Sequence, residues 1–547
     1  MEQPTGLKPL KQDKEKQNNM LYLFILIPIL VASLLLFIPH KIARIISFVL
    51  YTLMLGFSLY LFVMTRFFGE IFTVTTGGQG ILGIALYCDL TAAIFLVLIC
   101  FLFLCFFFYS AIRDNALERF NFFITILQSL IILIVLSRDL FNIFVAVEVA
   151  TLVCSVLIMY KKETRSIYDG LVYLLTNTVG MMFFLFGVAL LYRQFGVLDI
   201  SVITSMMQGY TSREALMPFA FIMTGVLLKC AVVPLHMWLP YAHGTPGAPT
   251  VVSAILSGLY VKGGIYLFIR MREMFLPAIN MDILFLIIGI ITSIVGIILA
   301  INKNDIKLIL AYSTISQIGL IIVGISLNNS FGYAGALLHI INHALFKSLL
   351  FLAADVRISK YKTRNISDIR GVLKTYPVIG IAVIAGILGI TGAPLFNGSI
   401  SKYLIQSGGD ALIFEIIYNL INFGTILIFI RFSQVLFGDK QNKEANKDAY
   451  ANVILILLGS LCMMTGILGS QFLYLLNGVY FPINLVGYLG KVTIWVASFL
   501  LAWAVNRYIL SKITFKENLI HNTTFNGIGM SIVLFFTSII IIGFLLF

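Results

Sequence analysis

Roughly sixteen apolar runs of about 17–25 residues fill almost the whole of this 547-residue chain, and segments of that length and composition match the thickness of a bilayer. They fall at 20–38, 42–65, 81–112, 117–136, 139–160, 168–192, 216–240, 250–272, 282–301, 307–327, 332–356, 375–405, 411–437, 452–471, 485–506 and 526–547. A helix satisfies its own backbone hydrogen bonds in hydrocarbon, so the pattern predicts an all-α polytopic membrane protein with about 14–16 transmembrane helices. Runs 81–112 and 375–405 exceed what a bilayer needs, which predicts tilt, a kink or a break in each. The stretch 472–490 reads as interfacial.

Composition excludes the soluble alternatives. The chain is 60 % hydrophobic and 11 % charged, against about 25 % charged in soluble domains. Its formal charge of +13 does not point to nucleic acid, because the basic residues sit in short loops rather than on one wet face. Cys88, Cys100, Cys105, Cys154, Cys230 and Cys462 lie almost all within apolar runs without CxxC spacing, so no iron–sulfur cluster, zinc site or other cofactor is expected. The first run lacks a small-residue cleavage site and is followed at once by another, which reads as a retained helix.

Loops after odd-numbered runs carry Lys41, Arg44, Arg113, Arg119, Lys161, Lys162, Arg165, Lys303, Lys307, Arg357, Lys360, Lys362, Arg364, Arg370, Lys374, Lys440, Lys443, Lys447, Arg507, Lys512 and Lys516. That is about 21 basic residues against about 11 on the other side, so the positive-inside bias makes the odd loops cytoplasmic and both termini external. Lys8, Lys11, Lys14 and Lys16 then fall on the external side, mixed with Asp13 and Glu15.

A few ionisable residues remain embedded in apolar runs: Glu148, Lys229, Lys262, His339, His343, Lys347 and Lys402. Each buried lysine costs about 2.5–3.5 kcal/mol on insertion scales, so four cost on the order of 10 kcal/mol, comparable to the net stability of a domain. Taken singly, Glu148 also reads as half of a structural ion pair and each histidine as a satisfied core residue. Yet His339, His343 and Lys347 are spaced i, i+4, i+8, one polar stripe drifting by about 40° per step. Asp89, Asp139, Asp305 and Asp355 lie near run ends, where interfacial roles are expected.

Two runs read as discontinuous. Four prolines punctuate 234–249 just after Lys229, and Gly386, Gly389, Gly392, Pro394 and Gly398 precede Lys402. Broken helices in corresponding positions suggest two inverted five-helix repeats, each with a discontinuous helix. The expected organisation is a polar N-terminal tail (1–19), three transmembrane helices (20–112), repeat one (113–272, helices 4–8), repeat two (273–437, helices 9–13) and C-terminal transmembrane helices (438–547).

The segments RDLFNIFVAVEVA (138–150), LLKCAVVPLHMWLPYAHGTPGAPTVVSAILSGLYVKGGIYLFIR (227–270), NDIKLILAYSTISQIGLI (304–321), HIINHALFKSLLFL (339–352) and GITGAPLFNGSISKYLI (389–405) resemble the antiporter-like proton-translocating subunits of respiratory complex I, Mrp-type sodium/proton antiporters and membrane-bound hydrogenases. Lys262 and Gln317 make the likeness nearer to the D-type member of the Mrp antiporters and its hydrogenase counterparts. The resemblance implies that Glu148 and Lys229 form the pair of the first half-channel, with Lys262 bridging. It places His339 and His343 on the eleventh helix and Lys402 at the terminus of the path. Departures are Asp355, where small residues are common, the apparent insertion Pro246–Gly247, and residues 472–547, which run past the usual fourteen helices.

The expected function is therefore movement of protons through a Glu/Lys/His relay in which Lys347 also takes part. The chain would be a non-catalytic, ion-translocating subunit of a redox-driven complex or an Mrp-type antiporter, in the cytoplasmic (inner) membrane. Moving one charge against 150 mV costs about 3.5 kcal/mol at roughly 2.3 kcal/mol per 100 mV, and no nucleotide loop or cluster motif supplies it. Other membrane subunits, and redox subunits carrying Fe–S clusters or NiFe, are the expected partners beside the lipid bilayer. The competing readings are a freestanding secondary transporter of a solute coupled to H⁺ or Na⁺, a structural scaffold and a polytopic enzyme. The first predicts transport by the single chain.

Overall fold

A computed structural model of the chain describes residues 14–17, 20–76, 84–110, 118–244, 248–440, 449–512 and 525–547. Lys8, Lys11, Asp13, Arg113, Lys443, Lys447, Lys516 and the Pro246–Gly247 insertion lie outside the described residues.

The chain opens with strand β1 (Lys14–Gln17), helices α1 (Met20–Leu35) and α2 (His40–Phe67), and strands β2 (Glu70–Thr76) and β3 (Ile84–Cys88). β1 pairs parallel to β2, and β2 pairs antiparallel to β3 with Phe72 opposite Cys88. This small sheet is the departure from an all-helical chain. It explains the overlong run 81–112: its start is a strand, because hydropathy alone does not separate a short apolar strand from helix. Asp89 then takes a hydrogen bond from the Ala92 amide (2.8 Å) and α3 begins (Leu90–Ser110).

Next come α4 (Glu118–Leu136), α5 (Leu140–Ile158), α6 (Thr164–Phe195), a short α7 (Ile200–Met206), α8 (Ser212–Lys229), α9 (Trp238–Gly244), α10 (Thr250–Ile255) and α11 (Val261–Phe275). They are followed by α12 (Asp282–Ile301), α13 (Ile306–Ser326), α14 (Ser330–Tyr361), a short α15 (Val372–Thr375), α16 (Pro377–Thr391), α17 (Asn397–Ser407) and α18 (Leu412–Ser433). The chain ends with α19 (Ala449–Ile467), α20 (Gly469–Asn477), α21 (Leu485–Tyr508) and α22 (Phe525–Leu546).

Among the described residues, thirteen helical segments are long and apolar enough to cross a membrane. With α1 and the two interrupted pairs α8/α9 and α16/α17, they account for the sixteen apolar runs. The run 375–405 breaks at Gly392, whose φ of +74° ends α16 in the left-handed region that a side chain resists. α8 ends at Lys229, two residues before Ala231, whose φ of +56° turns the chain out of the helix.

Side-chain caps set the starts of α5 and α13. Asp139 accepts from the Asn142 amide (2.6 Å), and Asp305 from those of Lys307 and Leu308 (2.8 and 3.1 Å). Asp139 bridges to Asp199 and Asp305 to Asn365, one at each end of the bundle. The other end-of-run carboxylates are paired as well: Asp89 with Arg270 (2.6 Å), and Asp355 with the Tyr109 hydroxyl (3.0 Å).

The core centres on α13, every residue of which is buried. α12 packs against it through small residues: a Cβ on Gly289 would lie 2.8 Å from the Gly319 carbonyl oxygen, so the backbones approach closely only with glycine there. α10–α11 and α14 are enclosed likewise. α21 is the opposite case, with Leu485, Val486, Leu489, Leu500, Leu501 and Trp503 all exposed in the isolated chain.

Candidate functional site

The buried polar side chains gather on the helices that the fold encloses most completely. Lys229, at the last position of α8, is 3 % exposed and donates from Nζ to Thr151 Oγ1 on α5 (2.7 Å). That hydroxyl also meets the Tyr260 hydroxyl (3.1 Å). Glu148, one turn before Thr151, accepts from Thr178 Oγ1 on α6 (3.2 Å), and its buried Oε1 has no hydrogen-bond partner. Among the described residues the two charged groups make no direct ion pair; each is bonded to a different threonine hydroxyl. Glu148 is only half-buried, at the margin of a face where Val145, Val149 and Leu152 are exposed.

A second cluster lies deeper. Between α10 and α11 the chain makes a π-turn (Leu256–Tyr260), a distortion often found at functional sites. Lys262 follows it, 1 % exposed, donating back to the Ser257 carbonyl and lying 2.5 Å from His343 Nδ1. One turn along α14, the His339 ring centroid is 6.4 Å from that of His343. Lys347, on the same stripe, donates to the Leu310 carbonyl (2.9 Å) and Ser313 Oγ (2.5 Å) of α13. The three-residue stripe on α14 therefore faces polar groups.

The third cluster is at the second interruption. His339 Nδ1 is 2.9 Å from Ser401 Oγ on α17, and its Nε2 is 3.1 Å from Gln317 Oε1 on α13. Lys402 donates to the Ile390 carbonyl (2.8 Å), an acceptor freed where α16 ends, and to Asn422 Oδ1 on α18 (2.9 Å). The structure thus brings Lys262 to His343 and His339 to the α17 segment that carries Lys402, while Glu148 and Lys229 form a separate group.

Several buried or half-buried polar residues escaped the sequence reading. Lys307, counted there as a loop residue, is 3 % exposed and donates to the Ala248 carbonyl (3.1 Å). Its position at the start of α13 made it look interfacial, but the α9–α10 connection covers it. His243 is fully buried, stacks on Phe351 at 4.9 Å, and neither ring nitrogen has a hydrogen-bond partner. A histidine inside a proline-punctuated stretch carries no periodic signal. Thr151, Ser401 and Asn422 are uncharged, and nothing in composition separates them from other polar residues of membrane helices.

Two cavities open at opposite ends of the bundle. One of about 530 Å³ is lined by Ser137, Arg138, Gln208, Tyr266, Arg270 and Glu273, among others. The other, about 230 Å³, includes Lys161, Lys307, Asp355 and Arg364. Carboxylates at the first end titrate differently: burial pushes Asp139 up, whereas Asp199 is held below its ordinary value because Arg138, Ser201 and the Val202 amide outweigh burial.

Comparison with known proteins places this arrangement. The family model described as "NADH:quinone oxidoreductase/Mrp antiporter, TM" matches residues 137–430, from the start of α5 to α18. The chain belongs to that family of antiporter-like membrane subunits. It is 31 % identical over 298 residues to hydrogenase-4 component B of Escherichia coli (strain K12), covering 52 % of this chain and 44 % of that one. Against the D-type member of the Na(+)/H(+) antiporter of Alkalihalophilus pseudofirmus it is 27 % identical over 465 residues, covering 83 % and 94 %. The chain thus spans less than half of component B and almost all of the D-type antiporter protein.

In fold it matches a chain of the Mrp complex from Dietzia sp. DQ12-45-1b with a TM-score of 0.77 at 20 % identity, covering 88 % of this chain and 99 % of that one. It matches a chain of a membrane-bound sulfane sulfur reductase, described as an archaeal respiratory membrane complex, with a TM-score of 0.78 at 22 % identity, covering 89 % and 100 %. The α21–α22 segment lies beyond the matched family region.

Proposed function

We propose that this chain is the proton-translocating, antiporter-like subunit of a multisubunit membrane complex, either a redox-driven ion pump or an Mrp-type Na⁺/H⁺ antiporter. The observation that carries this reading is the set of four lysines, Lys229, Lys262, Lys347 and Lys402, each at most 5 % exposed and each held by a hydroxyl, carbonyl, amide or imidazole rather than by a carboxylate. A fixed structural charge in hydrocarbon is expected to be paired; a proton carrier must be able to lose its charge.

On this reading Glu148 switches the first site. Its carboxylate favours an ammonium at Lys229 when it approaches, and the lysine gives up its proton when the carboxylate moves away and the dry surroundings dominate. Lys262, His343, His339 and Lys402 carry the proton onward, with water bridging the gaps between groups that do not touch. Lys347 takes part in the central stretch of the relay, and Lys307 lines the 230 Å³ cavity, a place for proton entry. The segments 113–272 and 273–437 act as two inverted repeats about this line; the Asp139 and Asp305 caps at opposite ends support that arrangement.

Energy comes from partners: other membrane subunits and, for a redox-driven complex, subunits carrying Fe–S clusters or NiFe, in the cytoplasmic membrane. The test is coupled ion transport in vesicles containing the assembled complex. Lys229→Ala and Glu148→Ala are each expected to abolish it while the complex still assembles on a native gel. Full transport by an assembled Lys229→Ala complex sinks the relay, and transport by the purified single chain favours a freestanding transporter.

A further inference from the structure

We propose that Glu415 is the outer terminus of the path from Lys402, and that α21 is a clamp that positions it. This rests on the relay reading above and extends it to a helix that the family match does not include.

The observation is a polar ladder from a buried lysine to the surface. Glu415, Asn419 and Asn422, at i, i+4 and i+7, are spaced along one face of α18 over about two helical turns. Lys402 donates to Asn422 Oδ1 (2.9 Å), and Gln406, one turn beyond Lys402 on α17, donates to Asn419 Oδ1 (3.3 Å) and to Glu415 Oε1 (3.3 Å). Exposure rises along it: Lys402 is 5 % and Gln406 7 % exposed, whereas the Glu415 side chain is 43 % exposed. A half-buried polar face on an otherwise apolar helix is costly, and its natural use is to order water along a route.

α21 seats on this ladder and on the break that holds Lys402. Tyr488, Lys491 and Trp495, at i, i+3 and i+7, lie on one face. The Tyr488 hydroxyl donates to Ser399 Oγ (3.2 Å), and its ring packs on Tyr403 at 5.9 Å. Lys491 Nζ donates to Glu415 Oε1 (2.9 Å). Trp495 Nε1 donates to the Thr391 carbonyl (3.1 Å), the residue after Ile390, whose own carbonyl receives Lys402. The outward faces of α21 are apolar, so its polar side chains are concentrated where they meet α16, α17 and α18.

In the step proposed, the Lys402 ammonium gives its proton through water held by Asn422, Asn419 and Gln406 to the Glu415 carboxylate. An amine and a carboxylic acid result, and the acid then releases the proton to external water. Lys491 holds the Glu415 carboxylate in place beside Gln406. It touches no transferred proton and is a positioning residue.

The experiment measures proton translocation in membrane vesicles carrying the assembled complex. Glu415→Gln is expected to lower the rate tenfold or more, Lys491→Met about three- to tenfold, and Lys491→Arg to restore it. The Glu415→Gln/Lys491→Met double variant should be no slower than Glu415→Gln alone, because the lysine acts through the carboxylate. Independently of transport, Asn419→Cys should react with a membrane-impermeant maleimide added from the external side; the six native cysteines are buried and give little background. Wild-type rates in Glu415→Gln, or an unreactive Asn419→Cys, overturn the outlet. Lys402→Ala separates the two readings. If it is inactive while Glu415→Gln is normal, the relay stands without this terminus, and if it is fully active the relay itself fails.

Discussion

Lys229 and Lys402 each sit beside an interruption in the bundle, yet their surroundings differ in kind. Lys229 bonds a hydroxyl, with the Glu148 carboxylate close by on a half-buried margin. Lys402 bonds a carbonyl and a side-chain amide, and the carboxylate on its path is two helical turns away at the surface. A unit charge about 4 Å away is worth roughly 4 kcal/mol at an effective dielectric of about 20, far more than a neutral hydrogen bond. The first site can therefore be switched by moving one side chain, whereas the second is held at a constant level by dipoles fixed in the backbone break and in α18. On the proposed function, the first region decides when a proton is taken and the second decides only that it leaves.

The sharpest way to break that comparison is to give the second site a carboxylate. Asn422→Asp places an ionisable oxygen where Lys402 now finds an amide, with little change in shape. The expected result is a fall of tenfold or more in translocation, because the new charge holds the proton on Lys402, while assembly is unchanged. An unaltered initial rate in vesicles would show that the neutrality of this site has no functional meaning.

The sequence made the sixteen apolar runs legible, because a bilayer imposes one length on every crossing segment. It also exposed the charged residues, since each is an expensive exception in an apolar run. The two breaks were readable from proline near 234–249 and from the glycines before Lys402; Asp139 and Asp305, read only as interfacial, cap α5 and α13 in the structure. What it could not show was pairing. The partners that each group finds, Thr151 for Lys229, Thr178 for Glu148, Gln317 for His339 and Asn422 for Lys402, are set by which helix faces meet. The strand at Ile84–Cys88 was hidden because apolar strand and apolar helix have the same hydropathy. Lys307 was misplaced for a related reason: nearness to a run end suggests water, but tertiary cover decides burial.

A smaller effect sharpens the account of the first site. Thr178→Val removes the hydrogen bond to Glu148 Oε2 without changing the volume greatly. A hydrogen bond to a charged group is worth about 1.5–3 kcal/mol, but Glu148 is half-exposed to its surroundings, so a two- to tenfold slowing is expected. Thr425→Val, which removes only a hydroxyl accepting from Gln317 (3.3 Å) in the second region, should do less. If the two variants slow translocation equally, the first region has no special claim to control.

The smallest expected effect concerns stability, at the end of the bundle where Asp139 and Asp199 bridge. Partial burial acts to raise Asp199, but Arg138 (2.7 Å), Ser201 and the Val202 amide overcome it and hold the carboxyl below its ordinary value. A depressed carboxyl stabilises the fold at pH values above its unfolded pKa, about 3.9, and that contribution is lost as pH falls through the lower folded value. Asp139 is displaced the other way, by burial first, so its ionised form opposes the fold at neutral pH even as its oxygen caps α5. Asp199→Asn should therefore shorten the thermal inactivation half-time of the solubilised complex at pH 7, with the difference from wild type shrinking as the pH approaches 3. Asp139→Asn, which keeps an oxygen for the Asn142 amide, should leave the half-time at pH 7 unchanged or lengthen it. Equal losses for the two variants at pH 7 would show that the opposite displacements of the two carboxylates do not set the stability of this end of the bundle.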